Sequence, residues 1–62
     1  MENNISEIIR KKHMTQGHLA LKVGVKREYL NRIINRKITP SVSLGIRIAR
    51  ALKVPVEELF VP

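Results

Sequence analysis

Apolar residues recur along the chain three or four positions apart, and polar residues fill the faces between them, which is the period of an amphipathic helix. Ile5, Ile8 and Ile9 share one face of a first helix, and Met1 to Asn3 before it are expected to fray. Asn4 stands as its N-cap with Glu7 three residues on, a relative of the capping box. Arg10, Lys11 and Lys12 close it, suiting the negative end of its dipole and equally placed to touch phosphate. Thr15 caps a second helix, and Met14 can pack on Leu19 as a hydrophobic staple. A third runs from about Arg27 to Ile34, with Val25 stapled onto Leu30 and Lys26 a poor N-cap. Asn35 is expected to end it, because asparagine tolerates left-handed geometry better than other non-glycine residues. Arg36, Lys37, Ile38 and Thr39 form a basic loop leading to Pro40.

Ser41 then caps a fourth helix through Lys53. Its inner face is predicted to hold Val42, Ile46, Ala49 and Leu52, extended by Ile48, with Leu44 less clearly placed. Gly45 inside it costs up to about 1 kcal/mol relative to alanine, and close helix packing is the expected reason. Pro55 starts a last short turn, with Glu57 and Glu58 at its N-terminal end and Leu59 and Phe60 as apolar plugs. No strand, repeat or linker pattern is present. The fold predicted is all-α: one compact five-helix domain over residues 1–62.

The stretch from Gln16 to Asn35 organises the rest. Counting Gln16 as first, Ala20 is fifth and Gly24 ninth, while Leu19, Val23, Val25, Leu30 and Ile33 are fourth, eighth, tenth, fifteenth and eighteenth. A small Ala20 lets one helix approach the other, and Gly24 can take the positive φ that a three-residue turn demands. The apolar set buries one face per helix and leaves the outer face of the second helix free. These offsets are the layout of a DNA-binding helix-turn-helix, whose second helix enters the major groove.

Charge sharpens that reading. The net charge is +7, and residues 10 to 37 hold nine Lys or Arg against Glu28 alone. A basic block centred on a helix-turn-helix favours a polyanion. Without cysteine there is no disulfide and no thiolate metal site, which fits a reducing cytoplasm. His13 and His18 lie five apart, off a common helical face and without Cys or carboxylate partners, so both are read as surface residues and no metal or cofactor is expected. The chain has no apolar run near the roughly 18 residues of a membrane span, and its start lacks a signal-peptide pattern. An intracellular protein is expected.

The whole pattern resembles the Cro/lambda-repressor-type helix-turn-helix family, the xenobiotic-response-element (XRE) regulators. The resemblance runs from about Ile5 to Phe60. It rests on Met14-Thr15-Gln16, Leu19-Ala20, Val23-Gly24-Val25, Leu30-Asn31-Arg32-Ile33, Asn35-Arg36-Lys37, Pro40-Ser41, Ile48-Ala49-Arg50-Ala51-Leu52 and Val56-Glu57-Glu58-Leu59-Phe60. Departures fall at Lys26, at Arg36 where Gly is frequent, at Gly45 where a core Leu is frequent, and at Lys53 where Gly often ends the helix.

The family implies a lambda-repressor-like fold and a transcriptional regulator of double-stranded DNA, acting as a dimer on a palindromic operator. By the same resemblance Lys26, Arg27, Glu28, Asn31 and Arg32 face base edges, and Gln16, Tyr29, Asn35, Arg36 and Lys37 meet the phosphate backbone. Arg27 is the best candidate for a bidentate guanine contact, with a phosphate clamp as its alternative. Glu28 can accept from a cytosine amine, though an i,i+4 ion pair with Arg32 is favoured. Tyr29 can touch a thymine methyl, a phosphate or neither. The dimer interface is expected to draw on Val56, Leu59, Phe60 and Val61.

Two rival classes remain. An antitoxin-like interaction module would bind a protein through a patch at Leu44, Phe60 or Val61, with DNA binding secondary. A basic amphipathic peptide would bind anionic membranes without operator preference. Paired carboxylates, a nucleophile–base set and a phosphate loop are all missing, so no enzyme is expected.

Overall fold

The computed structural model describes residues 2–61. Five helices follow one another: α1 (Ile5–Lys11), α2 (Gln16–Val23), α3 (Arg27–Ile34), α4 (Val42–Leu52) and α5 (Val56–Leu59). A pair of two-residue strands ties the ends of the chain together, β1 (Glu2–Asn3) lying antiparallel to β2 (Phe60–Val61) with Asn3 opposite Phe60. The all-α expectation holds, with this clasp as an addition. Asn3, expected to fray, is held by it; Met1 lies outside the described residues.

Each start and stop has a local cause. Thr15 Oγ1 accepts from the His18 N–H at 3.0 Å and Ser41 Oγ from the Leu44 N–H at 3.1 Å, so both predicted caps form. Asn4 holds the N-cap position of α1, but its side chain does not cap; its Nδ2 donates to the Glu58 carbonyl at 2.9 Å. The oxygen facing α1 is instead Asn3 Oδ1, 3.3 Å from the Ile5 N–H. At the end of α3, Asn35 keeps φ at −85° and Arg36 takes the left-handed geometry at φ 63°. Arg36 N–H then bonds the Ile33 carbonyl and Lys37 N–H the Arg32 carbonyl, the two reversed bonds that close a Schellman motif.

The core gathers Ile5 and Ile9 of α1, Leu19, Ala20 and Val23 of α2, Leu30 and Ile33 of α3, Leu59 of α5, and four residues of α4. Those four are Leu44, Ile48, Ala49 and Leu52. The predicted inner face of α4 is therefore corrected: Val42 is 81% exposed and Ile46 36%, while Leu44 and Gly45 turn inward. Gly45 makes room for an aromatic ring rather than for a helix. A Cβ there would stand 3.3 Å from Phe60 Cε2, so the ring lies flush against α4. Leu59 is fully buried and Phe60 half-buried, which commits much of the expected dimer surface to the core. Leu44 is buried too, so it offers nothing to a partner.

α2 sits at the centre, packed against both α3 and α4. Gly24, at φ 87°, turns the chain from α2 toward α3. Arg47 of α4 donates a guanidinium N–H to the Val23 carbonyl at the end of α2, bracing that turn from behind. Leu30 and Ile33 anchor α3 inward, at 0% and 1% exposure, so its other face is presented to solvent. Among the described residues no helix is long and apolar enough to cross a membrane.

Candidate nucleic-acid interface

The outer face of α3 and the first turn of α2 enclose an open groove of about 760 Å³. Its walls carry Thr15, Gln16 and Gly17 from α2 and its cap, Arg27, Glu28, Asn31 and Arg32 from α3, and Asn35 and Lys37 beyond it. Three cations thus share the groove with one carboxylate. Glu28 and Arg32 line it without bonding to each other, so the expected ion pair is not formed; among the described residues the i,i+4 pair is Glu7 with Lys11 at 3.5 Å. The stem of Arg27 lies beside Gly17, where a Cβ would meet Arg27 Cδ at 3.5 Å in ordinary van der Waals contact.

Of the expected contact residues, the groove brings together Gln16, Arg27, Glu28, Asn31, Arg32, Asn35 and Lys37. Lys26, Tyr29 and Arg36 lie outside its lining, although each is exposed. Lys26 sits at the N-cap of α3 without a capping side-chain bond, which leaves the helix start open toward an anion. Tyr29 is 40% exposed on the next face round.

One feature of the groove was not legible in the sequence. Asn31 Nδ2 donates to Gln16 Oε1 at 3.1 Å, and Asn35 Nδ2 donates to Asn31 Oδ1 at 3.0 Å. A string of amides therefore runs from the first residue of α2 to the end of α3. The spacing of 15 residues between Gln16 and Asn31 carries no periodic signal, so only the helix crossing reveals the pair.

His13 and His18 border a shallow concavity with Lys12, Met14 and Thr15. Among the described residues no group of three or more His, Cys, Asp or Glu is placed to hold a metal.

Comparison with known proteins gives the same class. A helix-turn-helix family model matches residues 5–59. An uncharacterized HTH-type transcriptional regulator of Archaeoglobus fulgidus is 41% identical over 98% of this chain and 87% of its own length. A regulator of the same description from Methanocaldococcus jannaschii is 33% identical over 98% of this chain and 92% of its own. The crystal structure of a hypothetical transcription factor from Neisseria superposes with a TM-score of 0.87 at 25% identity, covering 95% of this chain and 66% of that one. Offsets, fold, groove and relatives agree: the chain belongs to the XRE/Cro-type helix-turn-helix family of DNA-binding transcriptional regulators.

Proposed function

We propose that this protein is a cytoplasmic repressor that binds a palindromic operator as a dimer, each protomer laying α3 in the major groove. The observation that carries the reading is the cationic groove between α2 and α3, where Arg27, Arg32 and Lys37 flank the linked side-chain amides of Gln16, Asn31 and Asn35. Repression requires only that the operator be occupied. Arg27, in the first turn of α3, reads guanine through its fork of N–H donors, with Asn31 beside it on the exposed face. Gln16 at the start of α2 and Arg36 and Lys37 past the end of α3 hold the backbone.

Selection of sites from random duplex DNA at fixed salt, followed by titrations, tests this. A two-fold repeated site is expected. Arg27→Ala should cost about 1–3 kcal/mol on that site and erase preference at one base pair, with scrambled duplex bound nearly as before. Lys37→Ala should weaken both duplexes together and flatten the salt slope by about one unit. Absence of any selected sequence overturns the reading.

A further inference from the structure

The amide string across the groove has a direction, and one backbone atom sets it. Asn35 Nδ2 lies 3.0 Å from the main-chain oxygen of Asn31, which can only accept, so the nitrogen of Asn35 must stand there. The same nitrogen is 3.0 Å from the Asn31 side chain, so the atom facing it is Oδ1. That places Asn31 Nδ2 toward Gln16, where it donates to Oε1 at 3.1 Å and leaves Gln16 Nε2 unused.

Counting sites then separates the three roles. Asn35 has spent both amide hydrogens inside the string, and what remains is Oδ1, an acceptor. Phosphate oxygens also accept, so this side chain has nothing to give a DNA backbone. Gln16 keeps two donor hydrogens, which suit a phosphate. Asn31 keeps one hydrogen on Nδ2 and one lone pair on Oδ1, a donor beside an acceptor. Adenine shows the complement in the major groove, the N6 donor beside the N7 acceptor, whereas guanine shows two acceptors.

We infer that Asn31 reads an adenine, and that Asn35 is a positioning residue for that contact rather than a phosphate contact. The inference rests on α3 being the groove-reading helix. It departs from the expectation drawn by resemblance, in which Asn35 grips the backbone. Gln16 couples the two functions, since the atom that receives Asn31 belongs to the side chain that holds phosphate.

The test uses the full chain and four duplexes: the selected site, and three copies with the candidate A·T pair changed to each other pair, with scrambled duplex as reference. Wild type should prefer adenine by about tenfold or more. Asn31→Ala should abolish that preference. Asn35→Ala should lower it several-fold while scrambled-duplex affinity and the salt slope hold, with circular dichroism confirming the fold. Gln16→Glu keeps the acceptor for Asn31 but loses the donors, so it should weaken every duplex and retain the preference. If Asn35→Ala instead weakens all duplexes alike, flattens the salt slope and keeps the preference, it is a phosphate contact and the inference is overturned. A preference that survives both Asn31→Ala and Asn35→Ala overturns the inference alone, whereas a wild type without sequence preference overturns the proposed function with it.

Discussion

Each of the first four helices is followed by a residue with left-handed backbone: His13 at φ 56°, Gly24 at 87°, Arg36 at 63° and Lys53 at 58°. Only at Gly24 is the geometry free of Cβ strain, and that is the turn on which the helix-turn-helix depends. At Lys53 the strain is tolerated because the turn satisfies the last carbonyls of α4, with Lys53 N–H bonding Arg50 and Val54 N–H bonding Ala49. Lys53→Gly should therefore stabilise the fold by about 0.5–1 kcal/mol, the relieved strain being partly offset by glycine's larger unfolded-state entropy. In a domain of this size that corresponds to a melting temperature higher by about 2–8 °C. Lys53 lies outside the groove, so operator affinity should stay as it is. A lower melting temperature for Lys53→Gly would show that its side chain does more than occupy a strained position.

At the scale of elements, the helix-turn-helix was legible because each of its rules points to a single residue. Ala20 is 2% exposed where a small residue was required, and Gly24 has the positive φ that the turn demanded. α4 was ambiguous for the opposite reason. Apolar residues crowd its whole length, so a stripe through Val42 and Ile46 fits the helical period as well as the true one through Leu44, Ile48 and Leu52. Gly45 decides between them, but only once the Phe60 ring is seen against it. The clasp was invisible because two residues per strand leave no alternation to read. Within it, Asn3 Nδ2 donates to the Ile33 carbonyl of α3 at 2.9 Å in a half-buried setting, and its Oδ1 serves α1. Asn4 makes an exposed side-chain bond to Glu58. Asn3→Ala should thus cost about 1–2 kcal/mol, from one lost hydrogen bond and one lost cap. Asn4→Ala should cost less, the reverse of the order that the sequence suggests. Urea unfolding of the two variants measures the order directly.

At the scale of the molecule, charge and size constrain how two protomers would share the proposed operator. Glu7, Glu57 and Glu58 line a concavity with Lys11 at the α1–α5 end, apart from the cationic groove, so three carboxylates gather there around one lysine. Placed face to face across a two-fold axis, these acidic ends would repel one another. The molecule measures 25 × 21 × 18 Å along its principal axes, whereas successive half-sites lie about 34 Å apart. Protomers centred over their half-sites would touch at most at their edges and bury far less than the roughly 1,200 Å² of a stable interface. Leu59 is already buried and Phe60 half-buried, which withdraws much of the apolar surface expected of the C-terminal turn. The protein should accordingly sediment as a 7.1 kDa monomer at micromolar concentration and pair only on DNA. On a duplex with two half-sites it should give a two-protomer complex, and inserting about five base pairs, half a helical turn, should abolish any cooperativity. A stable dimer without DNA would mean that exposed residues such as Val42 and Ile46 of α4 form an interface after all.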